Sequence, residues 1–204
     1  MKLNRTGIVV LLTEPVIFAL FYLSQVHVAF YYAYLCVTPF LFFLVSYYVD
    51  DIRKLVWRVL LNKDSIVFFS VLAIWLFLLA ATHNGPVYVF QTAYFPVFLE
   101  EFNFRFILIQ FLRRKVTLGR AVIIQAFLYA LFYMSFLLFY PSGYPGLYAE
   151  LFILDNFSMA LIYGGIYYIR RNFYIPAAIH ISLYLMDLFL PASLGWLAYV
   201  TTPA

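Results

Sequence analysis

Long apolar runs separated by short polar connections constrain this chain more than any other feature of its sequence. Seven such runs can be traced, and each is long enough to form a helix in a hydrocarbon layer about 30 Å thick. With 66% apolar and only 11% charged residues, the chain is expected to fold as an all-α polytopic transmembrane helical bundle of about seven spans, in one domain over residues 1–204. The runs cover residues 7–24, 26–49, 66–82, 87–112, 121–140, 148–169 and 174–190.

The basic residues predict how the bundle is oriented. Cytoplasmic loops accumulate Lys and Arg, whereas exported loops do not. With a cytoplasmic N-terminus, all of the 13 Lys and Arg residues except Arg105 fall at a cytoplasmic end or in a cytoplasmic connection. The net charge of +4 is divided among these short clusters, so a nucleic-acid partner is not expected.

Two local patterns complete this topology. The first run is predicted as a spanning helix rather than a cleaved signal peptide, because it is long and contains Glu14 and Pro15. Residues 50–65 interleave basic and apolar side chains, a pattern typical of an amphipathic helix on the membrane surface.

The run at residues 87–112 contains the most costly side chains of the sequence, Glu100, Glu101 and Arg105. Glu100 should lie roughly 20 Å from the basic end of this helix, at a depth where a charge costs about 2.5 kcal/mol or more. Glu101 and Arg105 are four residues apart and are predicted to pair on one helical face. Glu100 is turned by about 100° from Glu101, so it can face the bundle interior.

These three charges could form a purely structural ion network. A network that needs only neutrality, however, would use one acid and one base. The second acid leaves the site net negative, which suits a carboxylate that accepts a proton as a general base.

His180 and Asp187, in the seventh run, are predicted to join these charges if spans four, five and seven pack side by side. A carboxylate, an orienting ion pair and a hydrogen-bond donor for an oxyanion are the groups that water activation requires. Only one histidine lies in this region, so a two-histidine zinc motif is absent. The single cysteine, Cys36, has no disulfide partner. We therefore expect no metal and no cofactor.

At these residues the chain resembles the CPBP family of intramembrane proteases, which comprises CAAX prenyl proteases, bacteriocin-processing proteases and abortive-infection proteins. The first motif of that family, Glu-Glu-x-x-x-Arg, is matched by Glu100, Glu101 and Arg105. The resemblance extends over about residues 87–190.

Two further family motifs are matched with departures. The second motif is an aromatic residue followed after three residues by His; its equivalent is Tyr129 to Tyr133, with Tyr in place of His. The third is His followed four residues later by Asn or Asp. His180 matches it, but Tyr184 stands at the fourth following position, and Asp187 lies about one turn further on.

The resemblance implies an endopeptidase that hydrolyses a membrane-associated peptide or lipidated protein, in the cytoplasmic membrane of a prokaryote. Glu100 would activate water, Glu101 with Arg105 would shape the site, and His180 with its partner would stabilise the oxyanion. Tyr133 can hydrogen-bond the water but cannot take up a proton at neutral pH. Loss of such a partner removes about 10²- to 10⁴-fold in rate, so a slow or specialised enzyme is expected.

Two other functions stay open. A catalytically silent relative would bind or regulate a membrane-protein partner, and Tyr133 and Tyr184 favour that reading. A proton-coupled transporter is disfavoured because the sequence has no detectable internal repeat. It would use four acidic residues within the spans: Glu14, Glu100, Asp155 and Asp187.

Overall fold

The computed structural model describes residues 5–48, 63–80, 95–139 and 147–186, and these residues form helices joined by short turns. We number the seven helices in chain order and treat residues 95–112 as one helical run, α4, made of three segments. The predicted all-α class is confirmed. The helices are α1 Arg5–Ser24, α2 Val28–Tyr48, α3 Asp64–Ala80, α4 (α-helical Phe95–Glu101, π-helical Phe102–Leu108, α-helical Ile109–Leu112), α5 Leu118–Phe139, α6 Leu147–Arg170 and α7 Tyr174–Met186.

Three of these helices are long and apolar enough to cross a membrane, at Val28–Val45, Leu118–Phe139 and Ala149–Arg170. Shorter apolar stretches lie in α1, α3 and α7, at Ile8–Ser24, Ser65–Trp75 and Tyr174–Leu183. The helical membrane bundle is therefore supported, with three of the seven described helices long and apolar enough to span the membrane. α3 and α7 are described only to Ala80 and Met186.

Several predicted features lie outside the described residues. They are most of the amphipathic connection at 50–65, the first part of the fourth run at 87–94, and the end of the seventh run at 187–190. Pro96 lies in the first turn of the described part of α4, one turn before Glu100.

The helix that carries the charges, α4, lies at the centre of the bundle. Its first segment packs against α2 and α7, and its π-helical segment packs against α5 and α6. Every residue of the π-helical segment is buried. The predicted side-by-side packing of spans four, five and seven is thus present, because α4 contacts both α5 and α7.

The π-helical segment was not predicted from the sequence. Its backbone hydrogen bonds span five residues instead of four, so each residue turns the helix by a smaller angle than in an α-helix. Such segments are rare and often lie at functional sites. Here the segment begins immediately after Glu101 and includes Arg105, so its register determines where the motif's charges point.

Aromatic packing positions α7 against α4. Phe98, Phe102 and Phe106 follow one another every four residues, and their ring centroids lie 5.5, 5.3 and 6.1 Å from that of Phe173. The turn before α7 is tight: Arg171 has a positive φ of 56°, and the Asn172 side-chain carbonyl accepts a hydrogen bond of 2.9 Å from the Tyr174 backbone N–H. This capped start fixes the rotation of the helix that carries His180.

A close approach between α5 and α6 requires glycine at position 164. A Cβ there would lie 2.7 Å from Val122 Cγ1 and 2.8 Å from Gln125 Nε2. Gln125 also ties the two helices together, since its Nε2 donates to the Ala160 carbonyl at 2.9 Å. The next glycine, Gly165, has no atom within 4 Å of a Cβ built on it.

We therefore expect Gly164→Ala to lower the free energy of unfolding by about 1–3 kcal/mol, as overpacking does. Gly165→Ala is the matched control, and it should be neutral or stabilising by up to about 1 kcal/mol because Ala is the better helix former. Unfolding of both variants in the same detergent measures the difference. Equal stability would show that α5 and α6 do not meet at Gly164.

Candidate active site

Glu100 projects from α4 toward α5, where two phenols meet its carboxylate. The Tyr133 hydroxyl donates to Glu100 Oε2 at 2.7 Å, and the Tyr129 hydroxyl donates to the same oxygen at 3.2 Å. The two tyrosines are four residues apart and so share one face of α5. Glu100 is 4% exposed. Its carboxylate is therefore oriented by neutral donors inside the protein.

Glu101 faces a different helix and is paired with two basic side chains. Its Oε2 lies 3.2 Å from Arg105 Nε on the same helix, and its Oε1 lies 2.9 Å from Nδ1 of His180 on α7. The predicted pair of Glu101 and Arg105 is present, at a distance that suits an ion pair. Adjacent acids thus have separate partners, phenols for Glu100 and bases for Glu101.

Arg105 is fully buried and held between aromatic rings. Its Cζ lies 4.5 Å from the ring centroid of Tyr129 and 5.4 Å from that of Tyr163, positions in which a cation is attracted to the ring faces. Among the described residues none forms a well-aligned hydrogen bond with its guanidinium nitrogens. Its charge is balanced by Glu101 and by the two rings.

His180 connects the acid pair to the edge of the site. Its ring stacks on Tyr163, with centroids 4.9 Å apart and an interplanar angle of 25°. Its side chain is 13% exposed, whereas that of Glu101 is fully buried. Because Nδ1 is bound to Glu101, the ring presents Nε2 to any group that enters the site. His180 also interacts electrostatically with Glu100 from beyond ion-pair distance.

A comparison with protein families identifies the family of this chain. The model of the Rce1-like family, type II CAAX prenyl endopeptidase Rce1-like, matches residues 82–186, which is more than half of the chain. The chain belongs to this family. The resemblance to CPBP proteases is therefore confirmed, and the Rce1-like chain is an integral membrane protein. Comparisons with curated proteins and with solved structures give no match.

The match to the Rce1-like family covers every candidate catalytic residue predicted from the sequence except Asp187. Glu100, Glu101, Arg105, His180 and Tyr133 lie together between α4, α5 and α7. Tyr184 lies on α7, but its side chain is outside the described part of the structure, as is the whole of Asp187. The predicted roles of these two residues stay predictions.

Two contacting residues were not proposed as site residues. Tyr129 shares the Glu100 oxygen with Tyr133 and lies under Arg105; its position one turn before Tyr133 could have indicated this. Tyr163 packs on both Arg105 and His180. Its only signal in the sequence is its place before Gly164, where α6 approaches α5 most closely.

Nothing in the described ranges groups three or more His, Cys, Asp or Glu side chains so that they could hold a metal ion. A separate apolar groove of about 470 Å³ lies between α5 and α6. It is lined by Phe127, Ala130, Leu131, Met134, Glu150, Ile153, Leu154 and Phe157, so neither Glu100 nor Glu101 opens into it. The described side chains of the site supply carboxylates, phenols, one guanidinium and one imidazole.

Proposed function

We propose that this Rce1-like chain is a glutamate-dependent intramembrane endopeptidase in which Glu100 is the general base. The observation that carries the proposal is the separation of the two acids. Glu101 is paired with Arg105 and His180, whereas no described Lys, Arg or His lies within ion-pair distance of Glu100. A network built only for stability would pair both acids, so Glu100 is available for chemistry.

The proposed reaction is hydrolysis of a peptide bond. Glu100 takes a proton from water while the water oxygen attacks the carbonyl carbon, and a tetrahedral oxyanion forms. The C–N bond then breaks, and the proton held by Glu100 passes to the leaving nitrogen, which regenerates the carboxylate. Tyr133 and Tyr129 hold Oε2 during these steps.

His180 is proposed to stabilise the oxyanion through Nε2. When the ring is protonated on both nitrogens, Nδ1–H donates to Glu101, and Nε2–H is free to donate to the developing negative charge. The Glu101 carboxylate, 2.9 Å from Nδ1, holds the ring in this orientation. In this scheme Glu101 and Arg105 position His180 and do not touch the substrate.

The proposed substrate is a membrane-associated peptide or lipidated protein, and the proposed location is the cytoplasmic membrane of a prokaryote. The family match and the buried position of Glu100 support a substrate presented at the membrane. The test uses purified protein in proteoliposomes with a library of prenylated and unlipidated peptides, read by mass spectrometry. Cleavage by folded protein supports the proposal, and its absence across the library favours a silent relative.

The silent relative is the second candidate, and Tyr133 is the observation that favours it. A phenol held on Glu100 can orient the carboxylate but cannot share a proton with water as readily as an imidazole does. Such a protein would use the same cluster to bind a membrane-protein partner.

Tyr133→His separates a slow protease from a silent relative. We expect it to raise the rate of peptide cleavage by up to about 10²-fold, because it restores the imidazole of the family motif next to Glu100. Tyr133→Phe, which removes the hydroxyl and keeps the ring, should lower the rate instead. If neither wild type nor Tyr133→His cleaves any peptide while both remain folded, the chain is a silent relative.

A further inference from the structure

A second buried acid contacts α4 outside the candidate active site. Glu14 of α1 accepts a hydrogen bond of 3.0 Å at Oε2 from Nδ2 of Asn103. Asn103 is 2% exposed and follows Glu101 by two residues in the π-helical segment. The N-terminal helix is thereby tied to the part of α4 that carries the motif's charges.

Two buried oxygens of the Glu14–Asn103 pair have no hydrogen-bond donor if Glu14 is ionised. Glu14 Oε1 and Asn103 Oδ1 are both buried, and neither has a hydrogen-bond partner among the described residues. Both atoms can only accept hydrogen bonds when the acid is ionised, and each costs about 1–3 kcal/mol if it stays unsatisfied. One proton on Oε1, donated to Oδ1, would satisfy both atoms and would remove a charge from the membrane interior.

Asn103 lies in the π-helical segment that also contains Arg105, so its hydrogen bond with Glu14 can affect the active site. A π-helical segment is less favourable than an α-helical one and needs support from its surroundings. If residues 102–108 relaxed to α-helical register, Arg105 would rotate relative to Glu101 and Glu100. Within the described structure, the side chain of Asn103 connects the π-helical segment to another helix by a hydrogen bond, since its partner Glu14 lies on α1.

A buried phenol interacts with both the pair and the reacting acid. Tyr34 of α2 is 1% exposed and interacts electrostatically with both Glu14 and Glu100. The two acids therefore share a buried neighbour.

We propose that Glu14 is a positioning residue which, as a neutral carboxylic acid, holds Asn103 by two hydrogen bonds and so keeps the π-helical register that aligns Glu101, Arg105 and His180 with Glu100. The predicted effect on kcat rests on the proposed peptidase function. The hydrogen bonds between Glu14 and Asn103 do not depend on that function.

The test compares a neutral isostere with a truncation at the same position. Glu14→Gln can form the same two hydrogen bonds with Asn103, through its carbonyl and its amide, so its kcat should stay within about twofold of wild type. Glu14→Ala and Asn103→Ala should each lower kcat by about 10- to 100-fold with little change in KM, as small misplacements of catalytic groups do. The double variant should be no worse than either single one, since the two residues act as a pair.

Asn156→Ala is the matched control. Asn156 is also a buried amide, but its Nδ2 donates to the Phe152 carbonyl of its own helix at 2.9 Å, so its loss should leave kcat unchanged. The proposal is overturned if Glu14→Gln is as damaging as Glu14→Ala, which would mean that an ionised carboxylate is required. It is also overturned if Glu14→Ala has wild-type kcat.

A measurement without substrate separates this proposal from the peptidase function. The ¹⁵N shifts of the His180 imidazole report its contact with Glu101, and they should move in Glu14→Ala and stay in place in Glu14→Gln. This result would support the pair even in a protein that cleaves nothing. Unchanged shifts in folded Glu14→Ala would refute it even in an active protease.

Discussion

Glu100→Gln should lower the rate of peptide cleavage by about 10²- to 10⁴-fold, the contribution of a positioned general base. The amide has the shape of the carboxylate and can still accept a hydrogen bond from Tyr133, which donates to Oε2 at 2.7 Å. It cannot take a proton from water. The loss should therefore appear in kcat, with KM nearly unchanged, in steady-state assays on proteoliposomes.

Glu150→Gln is the matched control for this variant. Glu150 is an exposed acid in the first turn of α6, outside the cluster around Glu100, so its neutralisation should leave the cleavage rate within about twofold of wild type. A Glu100→Gln protein that is folded and cleaves as fast as Glu150→Gln would exclude Glu100 as the base.

Arg105→Met should lower the free energy of unfolding by about 3–5 kcal/mol, the usual cost of removing one partner of a buried ion pair. Arg105 and Glu101 are both fully buried and lie 3.2 Å apart. Without the guanidinium, the Glu101 carboxylate keeps His180 as its partner but loses its permanent counter-charge. The loss should be measurable by denaturant unfolding in a fixed detergent.

Two further variants serve as controls for Arg105→Met. Arg120→Met removes an exposed arginine near the start of α5 and should change stability by less than about 0.5 kcal/mol. Glu101→Gln combined with Arg105→Met should be more stable than Arg105→Met alone, because it leaves no uncompensated buried charge. If Arg105→Met costs no more than Arg120→Met, the ion pair does not stabilise the bundle.

The sequence was sufficient to predict the helical class and which charged residues lie together in the candidate site. Long apolar runs leave few alternatives to membrane helices, and charges within such runs are costly enough to stand out. The spacing of Glu101 and Arg105 predicted their contact, since residues four apart share a helical face. The combination of Glu100, Glu101, Arg105 and His180 also predicted which helices must pack together, and α4 does contact α5 and α7.

Other features could not be predicted because they depend on tertiary contacts. The π-helical segment Phe102–Leu108 has no sequence signal that distinguishes it from a continuous apolar α-helix. Tyr129 was identified only as the aromatic position of the second motif, and its hydrogen bond to Glu100 depends on how α5 packs against α4. The contact of Glu14 with Asn103 joins residues 89 positions apart, and only the fold of α1 onto α4 reveals it.

The use of Glu100 to activate water is tested most directly by a single-turnover cleavage in ¹⁸O-enriched water. We expect the new carboxyl terminus of the peptide to contain one ¹⁸O atom from the solvent. This labelled product should form with wild-type and Glu150→Gln protein and should fall by at least about 10²-fold with Glu100→Gln. Labelled product formed at the same rate by folded Glu100→Gln protein would contradict the role assigned to Glu100.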